Sequence, residues 1–267
     1  MKTKFVILGC GNSMGTPRID GFWGKCKKNN KKNYRTRCSA LIIKGNNTVL
    51  IDTSPDIRSQ LLDNNIKHIS SVVYTHEHSD QTNGIFELRP FAFRKKGGNI
   101  IDFWNKNIPI NIYGNSKTIN LLKKRFDYCF RKIDIYPPIV KANIVKKKFS
   151  LGKGREKIKL NTFQAYHGNL KVTGYIFNKL AYISDCSDLT IVKRKELFKL
   201  NYLVIDCLNF NGGYAHFGLN ECLIINNILK PKKMILTNLH YTIDYNEILK
   251  RLPRNILPAY DGLQFNL

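Results

Sequence analysis

The segment after residue 74 carries side chains that can bind a metal ion. His76, His78 and Asp80 are spaced two residues apart and follow the apolar run Val72–Tyr74. In an extended segment, residues two apart point the same way, so the two histidines can hold one ion with the aspartate on the same side. Imidazole suits zinc, manganese or iron, and a carboxylate favours harder ions. The pattern predicts a metal site at a strand end, and the alternative is a solvated polar loop.

Three further segments place a candidate ligand at the end of a short apolar run. His167 closes one run, Asp185 closes a second, and Asn238 and His240 follow the third. Alone, a histidine at a strand end is more often structural, and an aspartate there is more often a cap or part of a turn. Their order along the chain and their common placement at strand ends make the set a stronger signal than any member.

Strand and helix patterns alternate along the chain and must position these ligands. Gly45–Asn47 separates two apolar runs and predicts a hairpin, and Ser54–Asp56 carries the cap, proline and acid that begin a helix. Two β-rich stretches, each followed by helices, predict two packed sheets with helices outside and a single domain over residues 1–267. Strands are predicted at 4–9, 40–44, 48–52, 70–74 and 108–113, across 142–185, and at 202–205, 234–237 and 259–265; helices are predicted after 54 and at 116–125, 189–199, 220–230 and 245–252.

The composition indicates which partners the protein could bind, whether it could span a membrane and whether its cysteines are reduced. Lys and Arg number 44 against 19 Asp and Glu, a net charge of +25 that favours contact with anions such as phosphates. Lysine, asparagine and isoleucine are abundant together, and we expect such a compositional bias to account for most of the excess charge. Without an apolar run of about 18 residues, no membrane span is predicted. Seven cysteines with no CxxC pair suit the reduced thiols of the cytoplasm.

Short motifs with a recognisable order extend over nearly the whole chain. Besides the loop that contains His76, they are Leu8–Ser13, Gly15–Pro17, Arg37–Ala40, Ile51–Arg58, Glu87–Pro90, Ser184–Asp185, His216–Glu221 and Pro258–Gly262. With these motifs the sequence resembles the metallo-β-lactamase superfamily, and in particular its phosphoribosyl cyclic phosphate phosphodiesterases. The resemblance implies an α+β fold, the αββα four-layer sandwich, with two metal ions at one edge of the sheets.

The resemblance also implies which residues bind the first ion. His76, His78 and His167 would hold it, and Asp185 would bridge it to the second ion. Every family ligand of this first site is present in the chain. The expected cofactor is therefore a divalent metal, zinc or manganese, with this one site firmly occupied.

Two departures from the family pattern fall on the second site. Asp80 would belong to it, but Gln81 and Asn238 stand where the family has histidine ligands. An amide is neutral and a weaker ligand than imidazole, so the second site is doubtful. Three arrangements stay open. The second ion is absent, or carboxylates and amide oxygens bind it weakly with manganese favoured, or His240 supplies a replacement ligand.

The expected chemistry is the hydrolysis of a phosphodiester. A metal ion lowers the pKa of its bound water toward about 7 and so supplies hydroxide at neutral pH. Asp80 is placed to orient or deprotonate that water. The resemblance implies that His216 contacts the phosphate or protonates the leaving oxygen, and that Asp52 supports the metal loop through hydrogen bonds.

We therefore expect a cytoplasmic, metal-dependent phosphodiesterase that acts on a small cyclic or nucleotide-like phosphate. One alternative is a ribonuclease like the tRNA 3′-end-processing enzymes of the superfamily, but the basic stretch 94–108 is too short for their tRNA-binding arm. Another is a non-catalytic scaffold or RNA-binding protein, which Gln81 and Asn238 favour and the complete first site opposes. A thioesterase or lactonase also stays open, because metal chemistry does not choose the electrophile. RNA is not the favoured partner, no membrane partner is expected, and a homodimer stays open.

Overall fold

The computed structural model describes residues 2–93 and 108–267 of the chain. The stretch compared above with a tRNA-binding arm lies outside these residues, apart from its last position. The strands are β1 (Thr3–Gly9), β2 (Ser39–Lys44), β3 (Asn47–Ile51), β4 (Ser71–Val73), β5 (Ile110–Gly114), β6 (Val140–Ile144), β7 (Lys148–Leu151), β8 (Ile158–His167), β9 (Leu170–Phe177), β10 (Leu180–Ile183), β11 (Tyr202–Asp206), β12 (Lys233–Thr237), β13 (Ile256–Pro258) and β14 (Gln264–Asn266). The α-helices are α1 (Ile57–Asp63), α2 (Ser79–Thr82), α3 (Arg89–Ala92), α4 (Ser116–Arg125), α5 (Asp127–Phe130), α6 (Leu219–Leu229) and α7 (Tyr245–Arg251).

The described strands form two sheets of seven strands each. The first sheet has the order β14-β1-β2-β3-β4-β5-β6, and the second has the order β13-β12-β11-β10-β9-β8-β7. Strands β3 to β6 run parallel in the first sheet, as do β10 to β13 in the second. Parallel neighbours bring their carboxyl ends to one edge of a sheet. Residues that directly follow β4, β10, β11 and β12 therefore collect at such edges.

Three apolar clusters fill the space between the layers of the molecule. Between the two sheets lie Phe5, Ile7 and Ile42 from one side and Tyr175, Phe177, Tyr182 and Val204 from the other. A second cluster joins the first sheet to its helices through Leu50, Val72, Ile57, Leu61 and Leu122, and a third joins the second sheet to its helices through Ile183, Leu203, Cys222, Ile225 and Ile248. Helices thus cover the outer face of each sheet, and the predicted αββα sandwich is confirmed. No helix within the described ranges combines the length and the apolar character that crossing a membrane requires.

The predicted final strand at 259–265 is mostly a connection, which runs from β13 to β14 and so links strands of different sheets. Strand β13 pairs with β12, whereas β14 pairs with β1. Between them, Asp261 accepts hydrogen bonds from the main-chain N–H groups of Cys10 (3.0 Å) and Thr36 (2.7 Å). Gly262 then turns the chain with a φ of 84°. These long-range contacts fix a crossing between the sheets, which the local apolar pattern did not indicate.

Two predicted helices differ in form from those of the structure. The segment predicted as a helix at 189–199 contains two short 3₁₀ turns, Leu189–Lys193 and Lys195–Leu197, separated by Arg194 in an extended conformation. The helix predicted from Asn220 begins at Leu219, and Gly218 is its N-cap. The main-chain N–H of Gly218 donates to Oε2 of Glu221 at 2.9 Å. The side chain one turn into the helix, and not Asn220, thus satisfies the free main-chain donor at its start.

Candidate metal centre

Three predicted ligands meet at facing edges of the two sheets. His76 and His78 follow β4 of the first sheet, and His167 ends β8 of the second. One candidate ligand atom from each lies within 4.8 Å of the other two, and the ring centroids are 4.6 to 5.6 Å apart. His76 and His167 are buried, while His78 is exposed. The cluster is therefore shielded from solvent at His76 and His167 and is accessible to solvent at His78.

A chain of hydrogen bonds fixes the ring of His76. Asp52 accepts from the main-chain N–H and from the hydroxyl of Thr75, both at 2.8 Å. Because the threonine hydroxyl donates to Asp52, its oxygen accepts from Nδ1–H of His76 at 3.0 Å. This tautomer leaves Nε2 with a lone pair, and Nε2 is buried without a hydrogen-bond partner among the described residues. Asp52 thus holds the loop of His76 through hydrogen bonds, the kind of contact that the resemblance implied.

Burial keeps the His76 ring uncharged. Removal from water, together with the neighbouring histidine His78, lowers the pKa of His76 to about 3. A metal binds the neutral ring, so no proton has to be displaced from it at neutral pH. An unpartnered, uncharged and buried nitrogen aimed into a histidine cluster fits a divalent metal ion.

His167 is oriented in the same way by a main-chain carbonyl. Its Nδ1 lies 2.6 Å from the carbonyl oxygen of Ala215. A carbonyl only accepts, so Nδ1 must carry the proton and Nε2 is free to bind an ion. No local sequence pattern indicates this contact, because the carbonyl belongs to a loop that is 48 residues away along the chain.

Asp185 and His216 form a second group that shares His167 with the first. One ligand atom from each of these three residues lies within 4.8 Å of the others. Asp185 follows β10 and is buried, and its Oδ2 accepts from the hydroxyl of Ser184 at 2.8 Å. The predicted bridging aspartate therefore lies beside the histidine cluster, with its carboxylate held by its chain neighbour.

The two amides that replace family histidines also lie at Asp185. Gln81 is fully buried, and its Nε2 donates to Oδ2 of Asp185 at 3.2 Å and to Oδ2 of Asp80 at 3.3 Å. Asn238 is buried at φ 61°, and its Nδ2 donates to Oδ1 of Asp185 at 3.4 Å and to Oδ1 of Asp206 at 3.1 Å. Carboxylates without a proton only accept, so the amide nitrogens face them. Here the amides act as donors to carboxylates.

Asp206 is a site residue that the sequence patterns did not single out. It ends β11, is fully buried, and accepts from the main-chain N–H of Cys186 at 2.9 Å. Its Oδ2 lies 2.8 Å from Nδ1 of His216. The signal was available, because Asp206 closes a buried apolar strand just as Asp185 does.

The pair of Asp206 and His216 is ionised at neutral pH. Burial raises the pKa of Asp206 to about 6, although the bond to His216 opposes that rise. Burial acts to lower the pKa of His216, but the hydrogen bond to Asp206 and the negative charges of Asp206, Asp185 and Asp80 together outweigh it and raise the pKa to about 9. A positively charged ring whose Nδ1–H is held by a carboxylate presents Nε2–H as a proton donor.

Asp80 lies at the edge of the cluster. It is in the first turn of α2, is half-buried, and belongs to neither group of close ligand atoms among the described residues. Burial raises its pKa, and the nearby negative charge of Asp185 adds to that rise. The charges of Asp80 and Asp185 thus interact, and Asp80 accepts a hydrogen bond from Gln81.

The structure holds His240 apart from the predicted second site. Its Nδ1 lies 2.9 Å from the hydroxyl of Thr242, and its ring packs on Tyr241 with centroids 3.7 Å apart. The main-chain N–H of His240 donates to the carbonyl of Leu208 at 2.9 Å. Neither group of close ligand atoms found within residues 2–93 and 108–267 includes it. The replacement role considered for His240 has no support in this arrangement.

Three solved structures similar to this chain share both its fold and its length. The crystal structure of a diphosphatase of the PhnP family superposes with a TM-score of 0.87 at 29% identity, over 100% of this chain and 98% of that chain. Zinc-bound PqqB from Methylobacterium extorquens has a TM-score of 0.73 at 16% identity, over 99% of this chain and all of that chain. The short form of human tRNase Z has a TM-score of 0.65 at 14% identity, over 98% of each chain. At these lower identities the last two show the fold alone.

One curated relative is longer than this chain. A protein of Porphyromonas gingivalis named octanoyltransferase is 27% identical over 266 residues, which cover 98% of this chain and 51% of that protein. The chain therefore spans about half the length of that relative. The family model described as "Beta-lactamase superfamily domain" matches residues 47–241, which contain every candidate ligand of the cluster. The chain belongs to the β-lactamase superfamily and is a metallo-β-lactamase-fold hydrolase of the branch that includes the PhnP family.

Proposed function

We propose that the protein is a metal-dependent phosphodiesterase for a small cyclic or nucleotide-like phosphate. The observation that carries the proposal is the meeting of His76, His78 and His167 within 4.8 Å, with Asp185 beside them. The similarity to a diphosphatase of the PhnP family, over almost all of both chains, supports a phosphorus electrophile. His76, His78, His167 and Asp185 would hold zinc or manganese.

The ion, when bound, supplies Lewis acidity and a nucleophile from water at neutral pH. The residues of the chain supply the rest of the reaction. The exposed side of the cluster at His78 admits the phosphate. Asp80, half-buried beside it, orients the attacking water and accepts its proton. His216 donates its Nε2 proton to the departing oxygen, and Asp206 keeps the ring in the orientation that makes this donation.

We also propose that one ion, and not two, is tightly bound. A second ion would need strong ligand atoms around Asp80 and Asp185. The side-chain N–H groups of Gln81 and Asn238 face these carboxylates instead, at 3.2 to 3.4 Å. Oε1 of Gln81 is buried without a hydrogen-bond partner among the described residues, but a neutral amide oxygen is a weaker ligand than imidazole. Hydrogen bonds from these amides stabilise the carboxylate charge that a second ion would otherwise neutralise.

A second electrophile deserves a direct test. The relative from Porphyromonas gingivalis is named for transfer of an octanoyl group, and a nucleophile supplied by a metal ion also attacks thioesters. Hydrolysis of an octanoyl thioester is therefore the alternative reaction. We favour the phosphodiester because this chain covers only about half of that relative, but 98% of the diphosphatase structure.

Metal removal and restoration test the proposed activity. Purified protein is stripped with a chelator, reloaded with zinc or manganese, and assayed with bis-p-nitrophenyl phosphate and with an octanoyl thioester. We expect phosphodiester hydrolysis that is lost on stripping, regained on loading, and lost in His78→Ala. The matched control is His68→Ala, because His68 precedes β4 at the end opposite His76 and bonds to Ser70.

Three other results would each contradict the proposal. Thioester hydrolysis without phosphodiester hydrolysis would assign the alternative reaction. Turnover that survives both stripping and His78→Ala would remove the metal from the mechanism. Salt-dependent RNA binding by a protein that hydrolyses neither ester would favour a non-catalytic RNA-binding role.

A further inference from the structure

An exposed tyrosine lies beside the candidate metal centre without a role in it. Tyr214 belongs to the loop between β11 and α6, and 77% of its surface is exposed. So large an exposure is unusual for an aromatic ring, which normally covers apolar surface. The residues that follow it, Ala215 and His216, both contact the site described above.

The backbone on the carboxyl side of Tyr214 is fixed to the centre. The carbonyl of Ala215 accepts from Nδ1 of His167 at 2.6 Å, and the ring of His216 is bound to Asp206 at 2.8 Å. Next, the main-chain N–H of Phe217 donates to the carbonyl of Cys186 at 2.8 Å. The position of Tyr214 relative to the histidine cluster is therefore set by consecutive contacts, even though its side chain is exposed.

The ring of Tyr214 rests on the glycine that directly follows a metal ligand. A Cβ placed on Gly168 would lie 2.9 Å from Cε1 of Tyr214, closer than carbon atoms normally approach. Gly168 also has a φ of 57°, which favours glycine. The Cδ1–Cε1 edge of the ring is thus seated against the main chain, one residue from His167. With 77% of the residue exposed, the rest of the ring surface is open to a ligand.

We propose that Tyr214 is a stacking platform for a planar group of the phosphodiester, a nucleobase or another aromatic ring. This inference rests on the proposed function, because it needs a phosphate at the histidine cluster to bring that group to the loop. Stacking on an aromatic side chain is available to every base and tolerates its identity. Tyr214 would therefore distinguish esters that carry a planar group from those that do not, with little preference among bases.

Two substrates with the same reacting phosphate test the platform. Adenosine 2′,3′-cyclic phosphate and glycerol 1,2-cyclic phosphate share a five-membered cyclic diester, and only the first carries a planar base. For Tyr214→Ala we expect KM for the adenosine ester to rise about tenfold, the range of one stacked base. Its kcat and both constants for the glycerol ester should change less than twofold. Tyr214→Phe should restore the wild-type KM.

A matched tyrosine provides the control. Tyr166 is 41% exposed on β8, and its hydroxyl accepts from Nε2 of Gln164. Alternation along the strand places it on the face opposite the buried His167. Tyr166→Ala should therefore leave the ratio of the two KM values at its wild-type level. An equal effect in both alanine variants would overturn the assignment of Tyr214.

A binding measurement separates this proposal from the proposed function. Calorimetry with adenosine 3′-monophosphate and with glycerol phosphate, on metal-loaded protein, reports the platform without any turnover. Weaker binding of the adenosine ligand alone in Tyr214→Ala supports the platform even if neither cyclic ester is hydrolysed, an outcome that would contradict only the phosphodiesterase. Hydrolysis of both esters with equal KM in wild type and Tyr214→Ala would overturn the platform and leave the phosphodiesterase intact.

Discussion

At the scale of single residues, the proposed proton donor is the ring of His216, which Asp206 orients. The carboxylate is buried and holds Nδ1 of the ring at 2.8 Å. It also accepts from the main chain and from Asn238. A carboxylate held by several donors cannot swing away, so the imidazole it orients keeps one rotamer and one tautomer. The direction of the Nε2–H bond is thus determined by Asp206 and its hydrogen-bond partners.

Substitution of this pair should slow the reaction according to the leaving group. We expect His216→Gln to lower kcat for an adenosine cyclic phosphate by about 100-fold, the usual size of general-acid catalysis. Asp206→Asn should lower it by about tenfold, because the neutral amide still accepts from the ring but no longer supports its charge. With p-nitrophenolate, which leaves without a proton, both losses should be much smaller. Steady-state kinetics on the two substrates provide the measurement.

The double variant Asp206→Asn/His216→Gln provides the control for this pair. Residues that act as one unit are not additive, so the double variant should be no slower than His216→Gln alone. Metal content should stay at the wild-type value in all three variants. A double variant whose kcat falls by the product of the two single losses would contradict the assigned roles. Equal losses of kcat with the two leaving groups would also contradict them.

At the scale of secondary-structure elements, the site lies between strand ends of different sheets. Helix α2 follows β4 of the first sheet and carries Gln81, whereas Asn238 follows β12 of the second sheet. Both amides donate to Asp185, which follows β10. The loops of the two sheets are thus joined by hydrogen bonds to one carboxylate. Because both amides contact Asp185, the two departures from the family pattern concern the same proposed second ion site.

Restoring imidazoles at the two amide positions should create a second ion site. Wild-type protein is expected to contain about one tightly bound ion per chain, and Gln81→His/Asn238→His about two, because neutral imidazole is a stronger metal ligand than an amide. Elemental analysis after extensive dialysis measures the ratio independently of activity. Gln81→Asn/Asn238→Gln, which keeps both amides, is the control and should stay at one. Two tight ions in the wild type would contradict the proposed single-ion centre.

At the scale of the whole molecule, an ion at this centre would connect the two halves of the sandwich. His76 and His78 come from the first sheet, and His167 and Asp185 from the second. A ligand that binds the folded chain and not the unfolded chain stabilises the fold by mass action. The net charge of +25 contributes little to such a centre, because the centre depends on a few oriented side chains.

Metal should therefore raise the melting temperature of the protein. At a free ion concentration about 100 times Kd, the expected gain in the free energy of unfolding is about 2.7 kcal/mol. Differential scanning calorimetry of stripped and reloaded protein measures the shift. His78→Ala should abolish it and His68→Ala should preserve it. An unchanged melting temperature on loading the wild type would contradict binding at the shared site.

Local patterns in the chain predicted the strand ends and the candidate ligands that follow them. Periodicity of two, apolar runs and the HxHxD spacing are local properties, so they located β4, β10 and β12 together with His76, His78 and Asp185. The family resemblance added the order of the layers, which local patterns do not contain. Comparison with the family pattern also identified Gln81 and Asn238 as departures from it.

Contacts between residues that are far apart in the chain depend on how the whole chain folds. The crossing at Asp261 depends on Cys10 and Thr36, which are more than 200 residues away. The orientation of His167 depends on a carbonyl 48 residues away, and His240 is held apart from the cluster by Thr242 and Leu208. A pattern along the chain records which face of an element is apolar. Hydrogen bonds between loops depend on how the sheets bring those loops together, and only the folded molecule defines that.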